Sequence, residues 1–242
     1  MKRTLTVLLL LVCMLFGCSS TPQEKAGRAL QKTAELKGMD LYLTGNFVLK
    51  GAESEEKIAL NSRLQIKDLE KDSLQMNATS TVERNGTKRS VSVYRTGEWF
   101  YVTDNSTSYK SYLADLVGGY DYAAVVRAVL REYPQTVWDN ATYNEDEVVL
   151  ALDLQMLTER FGALAERAWN TLVPEGSADI SGGSLTMKFS GKYVTACTLT
   201  LVQTGADMTL ESSIVLNWNA LGGDVAVSPP NGYQNFPEYN FS

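Results

Sequence analysis

Histidine is absent from this chain of 242 residues. That absence removes the Ser-His-Asp and Cys-His nucleophilic systems, and with them imidazole-ligated zinc, copper or iron. Cysteine is scarce, with only Cys13, Cys18 and Cys197. The main apolar run, Leu5 to Met14, falls well short of the ~20 residues that a membrane-spanning helix needs. Positive charge is short as well: 22 basic residues face 28 acidic ones, a net charge of −6. That balance excludes the basic face a nucleic-acid binder uses, and it excludes ionic docking on anionic lipid. The glycine pairs at Gly118, Gly182 and Gly222 lack both the phosphate-loop and the dinucleotide spacings. No catalytic motif stands out, so the expectation is a protein that is not an enzyme and holds no cofactor and no metal. What is present in quantity is aromatic: 12 Tyr and 4 Trp exclude a disordered tail protein.

The amino end is ordered in a particular way. Lys2 and Arg3 precede the apolar run, and Leu15-Phe16-Gly17-Cys18 follows it. A positive start, a short apolar segment and small residues before a cut site describe a secretory signal. The last four residues resemble a bacterial lipobox, at which a signal peptidase cuts before the cysteine and lipid is attached to it. Residues 1–17 are then a signal peptide, Cys18 is the lipidation site, 18–20 form a short tether, and 21–242 form one domain. Removing the signal leaves a net charge of −8, since Lys2 and Arg3 depart with it. The anchor is therefore hydrophobic, with acyl chains contributing ~0.8 kcal/mol per buried CH₂. The membrane is the first expected partner, and the place is its extracytoplasmic face. Cys13 leaves with the signal and Cys18 carries lipid, so Cys197 has no disulfide partner. It lies in the alternating run Tyr193 to Leu199, which predicts a buried structural thiol.

Along the chain, Thr21 and Glu24 make a capping box with Pro22 at the first helical position. The stripe Ala26, Ala29, Leu30, Thr33, Ala34 predicts a helix capped at Gly38. It begins about three residues after the lipid, a reach of about 10 Å when extended. Alternation then predicts strands at Met39–Leu49, Lys57–Lys67, Leu74–Glu83, Ser90–Arg95 and Trp99–Asp104, with Asn85-Gly86 as a type I′ turn. A helical block is expected at Ser111–Val117 and again from Ala123, capped by Asp121, to Tyr133, with Pro134 stopping it. A strand pair is expected at Gln135–Tyr143 and Val148–Leu152, and a second long helix at Gln155–Leu172. Strands return at Ser184–Phe189, Tyr193–Gln203 and Met208–Trp218, and the tail from Asn231 is expected to be irregular.

Several groups could carry chemistry. Glu145-Asp146-Glu147 is the densest acidic run, but it lacks the calcium-loop spacing and sits where a hairpin turn is expected. Four Asn-x-Thr triplets fit the glycosylation pattern and are read as chance matches in a Thr-rich β protein. Tyr101, Tyr109, Tyr112, Tyr120 and Tyr122 could line a pocket, meet lipid headgroups, or serve as core and rim aromatics. Small residues on the dry strand faces (Ser62, Ala78, Ser80, Thr195, Ser212) leave room for an inserted helix or a cavity.

The element order and two local stretches, Thr96-Gly97-Glu98-Trp99-Phe100-Tyr101 and Asn217-Trp218-Asn219 through Val225-Ala226-Val227-Ser228-Pro229, carry a resemblance. Over roughly Gln31 to Pro230 the chain resembles the Lol-type fold of lipoprotein carriers and of mycobacterial LppX/LprG-type lipoproteins. The resemblance implies an α+β fold: a strongly curved antiparallel sheet, a half-barrel, with helices packed in its concave face and a hollow able to take acyl chains. The implied function is to bind or carry a lipid or other hydrophobic ligand in that hollow. The candidate lining residues are Leu64, Met76, Met187, Phe189, Met208 and Ile214. The alternative is an envelope binding or scaffold module that meets a protein or glycan through its surface. No nucleic acid and a monomeric state are expected in either case.

Overall fold

The computed structural model of the chain describes residues 20–105, 107–112, 121–173, 176–205, 207–222 and 225–239. The lipobox and Cys18 lie outside these residues, as does Tyr120.

The first helix, α1 (Pro22–Ala34), starts as its sequence dictates. Thr21 Oγ1 accepts from the Glu24 amide at 3.2 Å, and the Glu24 carboxylate accepts from the Thr21 amide at 3.2 Å. The helix stops earlier than its apolar stripe predicts, with Glu35 rather than Gly38 at the C-cap. Gly38 is instead claimed by the ladder and opens the first strand opposite Lys67.

Six strands follow in a meander: β1 (Gly38–Lys50), β2 (Glu55–Lys67), β3 (Gln75–Arg84), β4 (Thr87–Thr96), β5 (Trp99–Asp104) and β6 (Thr107–Tyr112). Asn85 and Gly86 both have positive φ, at 49° and 77°, which is the geometry a type I′ hairpin requires. Strand β6 corrects the helix expected from Ser111. Thr-Ser-Tyr-Lys-Ser-Tyr is hydroxylic and aromatic, suits a half-covered edge, and pairs with β5 from Trp99↔Tyr112 to Asp104↔Thr107. The rest of that expected helix lies outside the described residues.

The central block comprises α2 (Tyr122–Leu130), α3 (Gln135–Asp139), the hairpin β7 (Thr142–Asn144) and β8 (Glu147–Leu150), and α4 (Leu154–Leu172). The short helix α3 replaces the first half of the strand expected at Gln135–Tyr143. Adjacent Val137 and Trp138 are both buried, and Trp138 Nε1 donates to the Tyr133 carbonyl at 3.2 Å. Helix fits that pair, because successive strand residues would face opposite ways. Three long strands, β9 (Asp179–Ser190), β10 (Tyr193–Thr204) and β11 (Thr209–Leu221), complete the body.

Among the described residues, eleven strands form one antiparallel, unclosed sheet in the order β6-β5-β4-β3-β2-β1-β11-β10-β9-β8-β7. It curves into a half-barrel whose concave face holds the helices. One large cluster fills much of that face, with Leu41, Leu64, Met76, Phe100, Phe161 and Met187 fully buried. Helix α1 is tied down by Thr33. Its hydroxyl donates to the Ala29 carbonyl at 2.8 Å and accepts from the Val194 amide at 2.9 Å. That amide lies beside the bulge between Val194 and Ala196, which also takes Thr195 out of the alternation, so Thr195 is not on the dry face. Cys197 is buried as expected, and burial pushes its thiol well above the ordinary range.

The tail contradicts its expected irregularity in part. Residues 233–235 form a 3₁₀ turn whose Tyr233 ring packs on Tyr101 and Tyr94, with ring centres 4.9 and 5.6 Å away. Beyond it, the Lys110 amide donates to the Pro237 carbonyl and the Tyr239 amide donates to the Lys110 carbonyl, both at 2.8 Å. The tail thus pairs part of the outer edge of β6, the kind of edge that otherwise invites aggregation.

Helix α4 comes close to β9 at Gly183. A Cβ there would lie 2.5 Å from the Thr200 carbonyl oxygen and 3.3 Å from Leu157. The backbone cannot yield cheaply, so Gly183→Ala is expected to destabilise the fold by about 1–3 kcal/mol. Urea denaturation would measure it, and an unchanged midpoint would show that neither the Thr200 carbonyl nor Leu157 restricts this position.

Candidate functional site: an apolar cleft at one end of the half-barrel

Along β1, β2, β3 and β11 the inward-facing residues change character part way. Leu41, Leu43, Leu64, Met76 and Leu216 are buried, but Phe47, Leu60, Val82 and Ile214 on the same face are only half-buried. The change occurs at the end carrying the β1–β2 and β3–β4 hairpins. Helix α2 covers this region only with Tyr122 and Val125, and α4 only with Leu164, Ala168 and Leu172. The result is a cleft of about 630 Å³, floored by strands and roofed by the two helices. That volume lies inside the ~300–1,000 Å³ range of small-molecule sites.

The gap has a packing origin. Further along α4, Trp169 leaves the main core and builds a second small cluster with Leu49 and Leu210. Leu60, Val125, Leu164 and Ile214 border the main cluster, while Phe47, Ala168 and Leu172 border the second. The cleft is the space between the two.

The mouth is polar. Arg84 and Arg89, brought onto the concave face by the register Ile58↔Arg84 and Val82↔Arg89, stand there with Asn85 and Thr87 from the hairpin and with Arg167 and Thr171 from α4. Arg84 forks onto Glu56, with Nη2 2.9 Å from Oε2, and this contact holds the Glu56 carboxyl below its usual range. Arg89 forks onto Asp104 in the same way, with Nε 2.6 Å from Oδ1.

Behind the cleft lies a buried ion pair. Arg95 of β4 and Asp121 meet at 2.6 Å, and both side chains are almost fully covered, at 6% and 9% exposed. Burial pulls the Arg95 guanidinium below its ordinary value, and Asp121 opposes that pull. Arg95 also donates to the Gly97 carbonyl at 2.9 Å and lies over the Phe100 ring. Asp121 caps α2 by accepting from the Ala124 amide at 3.2 Å, and its other oxygen is 4.0 Å from Arg167 of α4. One carboxylate therefore links β4, the start of α2 and the roof helix α4. Beside it, Ser62, Ser80 and Tyr122 form a buried hydroxyl chain, 2.8 and 3.0 Å apart. Two of the small dry-face residues thus serve to seat α2.

Of the six candidate lining residues, the cleft contains Ile214. Leu64, Met76 and Met187 are fully buried within the packed core. Phe189 packs on the core from the β9 side, and Met208 is exposed in the β10–β11 turn. The residues that sequence reasoning passed over, Phe47, Val125 and Leu164 among them, sit on the same alternations and stripes as the core. No local signal separates them from it.

Other features resolve into structure. A second depression, of about 770 Å³, is lined by Arg131, Glu132, Gln135, Glu159 and Arg160 among others. Arg160 is committed there: it donates to the carbonyls of Ala128, Arg131 and Glu132 and lies 3.7 Å over the Tyr133 ring, which caps the carboxyl end of α2. The acidic run Glu145 to Glu147 spans the β7–β8 turn, as expected. Among the described residues, no group of acidic and cysteine side chains is placed to hold a metal ion, and no helix is long and apolar enough to cross a membrane.

Removing the Asp121 carboxylate leaves Arg95 buried without its charge partner. Asp121→Ala is expected to cost about 3–5 kcal/mol, read as a fall in the urea midpoint. A loss below about 1 kcal/mol would mean that the pair is not the link between sheet and helices.

No protein-family model matches this chain, and no curated protein matches it by sequence. Among solved structures it is similar to LprF from Mycobacterium bovis, at 11% identity and a TM-score of 0.45, over 87% of this chain and 97% of that one. It is also similar to the ywiB protein from Bacillus subtilis, at 7% identity and a TM-score of 0.27, over 76% of this chain and 94% of that one.

Proposed function

We propose that the protein is an envelope lipoprotein, tethered through lipid on Cys18 to the extracytoplasmic face of a membrane, that binds or carries a lipid or other hydrophobic molecule in the cleft. The observation that carries this reading is the half-buried apolar lining. Phe47, Leu60, Val125, Leu164 and Ile214 face a space of about 630 Å³ that the protein does not fill. Apolar walls beside an unfilled space forgo burial at ~25 cal/mol per Å², and an acyl chain supplies it at ~0.8 kcal/mol per CH₂. Binding and release need no bond to be broken, which agrees with a chain that has no histidine.

The surface-docking alternative gains no support from the aromatic side chains around β4 and β5. Tyr94 and Tyr101 are covered by Tyr233, and Phe236 packs on Tyr101 as well. Among the described residues, the large apolar side chains that are exposed, Tyr42, Leu154, Met208 and Tyr239, are spread over separate elements.

Native mass spectrometry of the full-length protein from its host should find a co-purified lipid. Filling the space with Leu164→Trp and Ile214→Trp should weaken binding of a fluorescent acyl probe by about tenfold or more while leaving the melting temperature within a few degrees of the parent. Unchanged binding would remove the cleft from the account. The anchor is tested separately: Cys18→Ser should abolish incorporation of a clickable fatty acid and release the protein from membranes. Continued labelling would refute the lipidation site.

A further inference from the structure

The chain is acidic as a whole, yet the walls and mouth of its cleft are not. The lining residues include Arg84, Arg89 and Arg167 and one carboxylate, Asp121; Arg84 and Arg89 are each paired at the rim, with Glu56 and Asp104, and Arg167 stands near Asp121. That carboxylate is already committed, paired with Arg95 at 2.6 Å and bonded to the α2 amide of Ala124. A further cation, Arg127 of α2, has its Nε buried with no hydrogen-bond partner. Two guanidinium groups, Arg95 and Arg167, thus stand against one acid.

The placement of the other two is equally unusual. Arg84 and Arg89 occupy positions where the strand alternation puts apolar residues further along the same strands, such as Val82 and Val91. Each is locked in a fork onto a carboxylate at the rim. A guanidinium carries five N–H donors and such a fork uses two, so donors remain toward the cleft. The fork also holds the side chain in place and lowers the entropy lost when it takes a further acceptor.

We propose that the ligand of this cleft is an anionic amphiphile. Its acyl chain occupies the apolar hollow, and its oxyanion head, a carboxylate or a phosphate, is held at the mouth by Arg84, Arg89 and Arg167. The inference rests on the cleft being a site for hydrophobic ligands, and it adds the charge and position of the head. The fit is complementary at both ends: apolar walls for the chain, and arginine at the rim. Arg167 is the adjustable member, since it is about half exposed and its contact with Asp121 is a long one at 4.0 Å.

The test compares matched pairs on the full-length protein at pH 8 and low salt: palmitate with methyl palmitate, and a monopalmitoyl lysophosphatidate with monopalmitin. At least one acid is expected to bind about tenfold or more tightly than its neutral partner, an advantage that shrinks as salt is added. The preferred acid identifies the head as carboxylate or phosphate. In the double variant Arg89→Gln, Arg167→Gln the advantage should fall to about twofold, the acids losing more affinity than their neutral partners. If the variant fails to fold, the salt series on the parent decides the matter: a flat response for both acids refutes the proposal. Equal binding of acid and neutral partner by the parent overturns the anionic head and leaves the hydrophobic cleft standing. Binding of none of the four removes both.

Discussion

The apolar concave face of an eleven-stranded sheet is larger than the helices laid into it. Antiparallel strands of up to thirteen residues present a long row of inward side chains, and each row must be covered or left to water. Here α1, α2 and α4 do the covering. They succeed over the middle and one end, where residues such as Leu41, Leu64 and Phe161 lose all contact with solvent. At the hairpin end α2 is only nine residues long, and α4 turns its Trp169 toward a separate cluster. The cleft is the remainder of that mismatch. Its apolar character follows from the same alternation that builds the core.

Holding helices over a partly empty bowl requires fixed points, and the structure uses polar ones. Thr33 anchors α1 to the bulged strand through the Val194 amide. Asp121 anchors α2 to β4 through Arg95 and approaches α4 through Arg167. Gly183 leaves room on β9 for the Leu157 side chain of α4 and for the Thr200 carbonyl of β10. Polar links of this kind are directional, whereas apolar packing alone would let the helices settle deeper and close the gap. The same charged cluster that positions the roof of the cleft also sets the electrostatic character of its mouth.

Much of the strand framework was legible in the sequence because alternation of period two is a local property. The inner rows of β1 to β3, the Asn85-Gly86 turn and the Thr21 capping box were all readable from neighbours within a few residues. Errors fell where tertiary pairing overrides local pattern. Ser111 and Tyr112 joined β6 because β5 offered a partner. Val137 and Trp138 turned helical because both had to be buried. The tail from Asn231 gained order because the edge of β6 was there to be paired. The candidate lining residues show the same divide. Leu64 and Met187 lie on the inner face but inside the packed core, because inner-face position does not say whether a helix sits on top.

The sequence by itself determined the acidic, histidine-free character of the chain, the inward and outward faces of its strands, and the caps that start its helices. Those are set by composition and by spacings of two to four residues. Which inward residues meet a helix and which meet a void was decided only by the tertiary structure. It depends on helix length, crossing position and the far end of α4, none of which any short window of sequence contains. Arg84, Arg89 and Arg167 likewise look like ordinary surface charges along the chain. They become a mouth only when the β3–β4 hairpin and α4, far apart in the chain, are brought to one end of the sheet.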